Sequence, residues 1–128
     1  MSTTANFFST PRTAVAQATV ANTNRDGTGA VATVITGAST GTRIDDIEIT
    51  ATGTTTAGMV RLYLHDGTNA RLLREIPVQA ITPSTTVPVW SARITDLALI
   101  LQNASWSLRA STHNAETFNV AITRAGDA

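Results

Sequence analysis

Met59-Val60-Arg61-Leu62-Tyr63-Leu64-His65 runs into Asp66-Gly67-Thr68-Asn69, and Arg71-Leu72-Leu73-Arg74-Glu75-Ile76-Pro77-Val78 follows. The first stretch alternates, with Val60, Leu62 and Leu64 on one face. Side chains along a strand point to opposite faces in turn, so this is the pattern of a half-buried β-strand. The Asp-Gly-Thr-Asn cluster turns the chain, and the second stretch returns as a hairpin. A three-residue loop from Gly67 to Asn69 sets Val60 opposite Ile76 and Leu64 opposite Leu72 on the inner face. It also sets Arg61 opposite Glu75, an attractive cross-strand pair, with Asn69 near the left-handed region. The same register leaves Arg74 opposite Leu62, which points to an exposed edge or a subunit contact.

Outward from this hairpin the pattern repeats. Strands are expected at about Thr13–Asn22, Ala30–Thr36, Arg43–Thr52, Ser105–Ser111 and Glu116–Thr123, between Gly, Asn, Asp, Pro and Thr clusters. In the third strand Ile44 is out of phase with Ile47, Ile49 and Ala51. One extra residue at Asp45-Asp46, a β-bulge, restores the phase. Pro88 confines Val87–Ala92 to a sheet edge. Ile94–Leu101 is apolar nearly throughout and reads as a strand covered on both faces. Trp106, Leu108 and Ala110 point inward on one strand, and Phe118, Val120 and Ile122 on the next. No long stretch holds a helical period. The expected fold is all-β: an antiparallel, jelly-roll-like β-sandwich of about eight or nine strands. It occupies residues 13–128 as one domain, with residues 1–12 as a short extended N-terminal arm and residues 124–128 as a tail.

Composition narrows the function classes. The 128 residues carry a formal net charge of zero, and only 14 % are charged, against about 25 % in ordinary proteins. There is no Cys, hence no disulfide and no thiolate metal site. There is no Lys either, and all nine basic residues are Arg. That follows from a codon bias toward Arg or from Arg-rich subunit contacts, since Arg suits interfaces. With no net positive charge and no basic cluster, no nucleic-acid partner is expected. No apolar run approaches the roughly 20 residues of a membrane span, and no secretory signal opens the chain. The expectation is a soluble protein, made in the cytoplasm and bound to no membrane.

Candidate chemistry is sparse. His65-Asp66 has the look of a base and its orienter, but it opens a turn and reads as loop surface. His113 and Glu116 lack a third ligand. Asp45, Asp46 and Glu48 could hold calcium, yet a solvated strand face with a bulge accounts for them. No Gly-x-Ser-x-Gly elbow occurs. No enzyme activity, metal or cofactor is therefore expected. Trp106 reads as core. Trp90 is open to three readings: a subunit-interface anchor, a lid on the core, or a sugar-stacking platform. Phe7 and Phe8 stand in the polar arm. Each gains about 1.5–3 kcal/mol by burial, so the arm is expected to dock.

Gly41-Thr42-Arg43-Ile44, the run from Gly53 to Gly67, Leu108-Arg109-Ala110-Ser111-Thr112, Glu116 to Val120 and the turn Asn24-Arg25-Asp26-Gly27-Thr28 together resemble a group of small proteins encoded near head genes of tailed bacteriophages. The resemblance covers roughly residues 20–123, through motifs that look structural. It implies a virion component on the capsid surface, made in the host cytoplasm: a decoration or cement protein, β-rich and often trimeric. The expected partners are the major capsid protein and further copies of the chain. Phe7, Phe8 and Arg12 are the candidates for the shell-facing arm, and Trp90, Arg74 and Arg93 for subunit contacts. A tail or fibre adhesion module that binds a host surface glycan is the alternative.

Overall fold

The computed structural model describes residues 9–128. Nine strands follow in order: β1 (Thr10–Ala18), β2 (Ala32–Thr36), β3 (Thr42–Ala51), β4 (Gly58–His65), β5 (Ala70–Val78), β6 (Ser91–Ile94), β7 (Leu99–Leu101), β8 (Ser107–Thr112) and β9 (Phe118–Asp127). One sheet has the order β1-β9-β3-β6, with β7 also on β3, and the other β2-β8-β4-β5. All strand pairings are antiparallel. With β6 and β7 counted as one interrupted strand, the chain shuttles between sheets in the order of an eight-stranded jelly roll. The expected all-β sandwich is thus the observed fold.

The alternations decide what lies inside. Ile47, Ile49, Val120 and Ile122 from one sheet and Val60, Leu62, Leu108 and Ala110 from the other are all buried. Trp90 is also buried, its ring meeting Phe118 edge-on at 5.6 Å and 88°. It is a lid on the core and offers no face for a sugar or a neighbouring subunit. Trp106 is half-buried and packs against the same core.

Several local expectations need correction. The hairpin register holds from Val60–Ile76 through Leu62–Arg74, but Tyr63 then pairs with Leu72 and Leu64 with Arg71. Leu73 is the extra residue, so the loop is longer than three and Gly67, not Asn69, takes the positive φ (+95°). The bulge at Asp45-Asp46 is present, as shifts on either side of Asp46 in the pairing with β9. Those carboxylates are not a solvated face, however: Asp45 is 4 % and Asp46 8 % exposed. Ile94–Leu101 is not one strand. Asp96 and Ala98 adopt positive φ (54° and 50°) and split it into β6 and β7. Leu97 N–H donates to the Asp45 carbonyl at 2.8 Å and Asp96 N–H to Asp46 Oδ1 at 3.3 Å, so the bulge on β3 receives the break opposite it. Residues 10–12 lie in β1 and residues 124–127 in β9, where Thr10 pairs with Asp127.

Phe118→Ala is expected to cost about 3–5 kcal/mol, the range for emptying a packed aromatic site, whereas Val15→Ala on the outer face of β1 stays within about 0.5 kcal/mol. Urea unfolding of the two variants checks this, and equal costs would contradict the assignment of inner and outer faces.

Candidate functional site

The outer face of β4 departs most from simple alternation. Arg61 is 2 % exposed and Tyr63 fully buried, although both point away from the core shared by the sheets. The segment between β1 and β2 covers them. Asn22 N–H donates to the Thr112 carbonyl at 2.8 Å, which fastens the segment to β8. From there it crosses the sheet. Tyr63 Oη–H donates to the Asn24 carbonyl at 2.7 Å, and Arg25 Nε–H reaches Glu75 Oε2 on β5 at 2.9 Å.

Beneath this crossing the Arg61 guanidinium finds several partners. Nε–H donates to the same Glu75 Oε2 at 2.9 Å, and Nη1 to the Asn22 carbonyl at 3.3 Å. Both Nη atoms lie 3.4 Å from His113 Nδ1, which accepts because guanidinium has only donors. A buried charge is tolerated when paired and hydrogen-bonded, and here the covering segment supplies part of the pairing. The Arg25 hydrogen bond, then that from Arg61, holds the Glu75 carboxyl below the usual glutamate range.

The edge of this layer is built from two matching turns, Asp26-Gly27-Thr28 and Asp66-Gly67-Thr68. In each the Asp accepts the Thr N–H, at 3.0 and 2.9 Å, and Gly takes a positive φ, +82° and +95°. These bonds to the charged form lower both Asp pKa values, the Thr28 hydroxyl acting first on Asp26 and the Asn69 N–H first on Asp66. A Cβ on Gly27 would fall 2.3 Å from Ala70 Cβ, so the turns pack without room for a larger residue. Between them lies an open polar cleft lined by Asp26, His65, Arg71 and Arg109. His65 Nδ1 accepts the Gly67 N–H at 3.1 Å, so that nitrogen serves the turn.

The residues singled out from sequence are scattered. Phe7 and Phe8 lie outside the described residues. Arg12 sits in β1, where Nη1 donates to the Thr36 carbonyl at 2.9 Å and lies 3.2 Å from Asp127 Oδ1. Buried Thr42 donates to the same Asp127 oxygen at 2.7 Å. Arg12 is thus held within the fold, at the point where β1 meets β9. Arg74 is exposed on edge strand β5 and makes no ion pair among the described residues. Arg93 is exposed beside Asp46, at 3.5 Å. Trp90 is in the core. No three His, Cys, Asp or Glu side chains gather in metal-binding reach among the described residues. What sequence reasoning missed is the buried polar layer itself. A signal for it was present: Arg61 and Tyr63 on one strand face, with Asn22 and Asn24 ahead of a turn.

No protein-family model matches the sequence, and no curated protein matches it. Two solved crystal structures of a pentameric capsid protein isolated from metagenomic phage sequences are similar to it at a TM-score of 0.39. Identity is 14 % in one and 13 % in the other, over 86 % of this chain and 60 % of theirs. The chain spans less than two-thirds of the length of those proteins, and so loose a likeness decides nothing about its role.

Glu75→Gln strands the Arg61 charge, whereas Arg61→Met removes it. Leaving a buried charge unpaired costs more than replacing it with a hydrocarbon of similar length, so the Gln variant is expected to melt at the lower temperature at pH 7. Glu75 stabilises the fold above its unfolded pKa and loses that contribution as pH falls through its depressed folded value. The Gln variant should therefore show a smaller loss of melting temperature between neutral pH and the acid side of the carboxylate range. Equal acid sensitivity would exclude this pair as a source of pH dependence.

Proposed function

We propose that this chain is a structural virion protein, a capsid decoration (cement) protein. In this reading it assembles with itself, as a trimer, and binds the major capsid protein on the outside of a phage shell. The observation that carries the reading is where the stretches behind the phage-protein resemblance fall. The turn at 24–28, β4 and the 108–112 stretch meet in one packed layer, through Tyr63 to Asn24 and the pairing of Leu62 with Ala110. What those stretches have in common with the phage group is then a scaffold, and a shell-binding protein requires a stiff scaffold before any reacting group. Repetition over a symmetric shell multiplies modest contacts through avidity.

The proposed mechanism is cross-bridging. The jelly roll sits over junctions between shell subunits, and Phe7 and Phe8 dock onto the shell. Arg12, clasped to Asp127, anchors the base of that arm. The second reading, a glycan-binding adhesion module, is favoured by one observation: the polar cleft between the twin turns. Burial of Trp90 takes away its stacking platform.

Removal of residues 1–8 should leave the far-ultraviolet circular dichroism spectrum intact. It should raise the concentration needed to saturate purified phage shells roughly tenfold or more, given about 1.5–3 kcal/mol for each buried Phe. Co-sedimentation reads this out, and unchanged saturation would sink the arm's role. Specific hits on a glycan array, lost in Arg109→Ala, would favour the adhesion reading instead.

A further inference from the structure

We propose that the cleft between the two Asp-Gly-Thr turns binds an acidic saccharide, its carboxylate gripped by Arg71 and Arg109. The inference deepens the adhesion reading given above and rests on it. It is independent of shell binding.

The pairing of arginines across the molecule singles this place out. Of the nine in the chain, Arg12, Arg25, Arg43, Arg61, Arg93 and Arg124 each have a carboxylate oxygen at 3.9 Å or less. Arg71, Arg74 and Arg109 have no such partner among the described residues. Two of those three line one cleft.

The cleft holds its donors ready. Arg109 on β8 is half-buried, and its Nε–H donates to buried Ser107 Oγ at 3.2 Å. That bond fixes the root of the guanidinium and leaves both Nη groups without a partner among the described residues. Two N–H groups in one plane match the two oxygens of a carboxylate. His65, at the end of β4, is opposite Ser107 on one side and Ala70 on the other. Its Nδ1 accepts the Gly67 N–H, so the neutral ring carries its proton on Nε2, a further donor. Arg71 follows Ala70 on β5, and the Gly27 turn packs onto Ala70 itself. A lining set in place before the ligand arrives lowers the cost of binding.

The cleft also carries negative charge, and that decides what it fits. Asp26 lines it. Asp66 stands near, its pKa lowered first by the Asn69 and Thr68 N–H groups and then by the charges of Arg71 and His65. One oxygen of each serves its own turn. Asp26 Oδ1 accepts the Thr28 N–H and hydroxyl at 3.0 and 2.5 Å, and Asp66 Oδ1 the Thr68 and Asn69 N–H groups at 2.9 and 2.8 Å. Asp26 Oδ2 has no partner among the described residues and is left as an acceptor, and the Thr68 hydroxyl and Asn69 amide join it in the lining. Acceptors suit hydroxyl groups, and the arginines suit an oxyanion. A sugar acid carries both. An acidic peptide lays down one negative charge after another and would meet Asp26 and Asp66. A neutral sugar would leave both arginines unused, and no aromatic ring lines the cleft for it to stack on.

Isothermal titration calorimetry of the full chain tests this with two carboxylated probes, trigalacturonate and sialyllactose. Each has an uncharged counterpart, the methyl ester of the first and lactose for the second. At least one acidic probe should bind, and its uncharged counterpart should bind roughly tenfold more weakly or worse, the worth of a hydrogen bond to a charged group. Arg71→Gln and Arg109→Gln should each weaken the acidic probe by a similar factor, whereas Arg74→Gln, on the same strand but outside the cleft, should bind as the wild type does. Circular dichroism checks that each variant folds, and either cleft variant can carry the test alone. No binding of either acidic probe at roughly 10 mM, equal affinity for the uncharged counterparts or for a triaspartate peptide, or folded cleft variants that bind unchanged would overturn the inference. Neutral glycans captured on an array by both cleft variants overturn it while leaving the adhesion reading intact. An array without hits removes both and leaves the cement reading standing.

Discussion

Arg61 sets the terms for one half of this molecule. Its guanidinium is almost wholly enclosed, and enclosure of a cation is affordable only with its donors occupied. Glu75, the Asn22 carbonyl and His113 Nδ1 occupy them. Two of these partners belong to neighbouring strands or their ends, but the third belongs to the connection between β1 and β2. That connection is therefore bound to the sheet it crosses, and it closes the outer face of β4. Arg25 ties the connection a second time, to the same carboxylate oxygen. Among the described residues no segment crosses the outer face of the opposite sheet. Its outer face presents Val15, Ala121, Glu48 and Arg93 in one row across the strands. One face is sealed by the protein's own polar layer, and among the described residues the other is not.

Much of the fold could be read from the chain because strand period and turn chemistry are local. Val60, Leu62 and Leu64 announce a strand without reference to anything distant, and Asp-Gly announces its turn. The phase slip at Ile44 even located the bulge, since an extra residue shifts every later side chain to the other face. The misses share a cause, which is that burial from outside the local pattern cannot be seen locally. The burial of Arg61 was hidden because alternation says only that it faces away from Leu62, beside Glu75, not what lies above it. Asp45 and Asp46 looked solvated for the same reason, until the break between β6 and β7 was found packed against them. The break itself was hidden because Ala98 has none of the residue types that favour a left-handed conformation. It is accepted there because Asp45 and Asp46 bind the intervening N–H groups.

The candidate site was less legible than the fold. Trp90 and Arg12 were picked for their side chains' general suitability to interfaces, and both are consumed by internal contacts. A residue type common at interfaces is common in cores for the same physical reason, its large contact area.

The pairing of Thr10 with Asp127 has a mechanical side. Strands β1 and β9 run antiparallel, and Ser9 leaves the sheet beside the end of β9, its N–H donating to the Asp127 carbonyl at 2.8 Å. Tension entering through Ser9 and opposed at the end of β9 would load these bonds one after another, as a zipper is opened, rather than all at once in shear. The Arg12–Asp127–Thr42 clasp stands at the first teeth. Resistance of the sandwich to peeling would then be concentrated in a single guanidinium, a single carboxylate and the Thr42 hydroxyl.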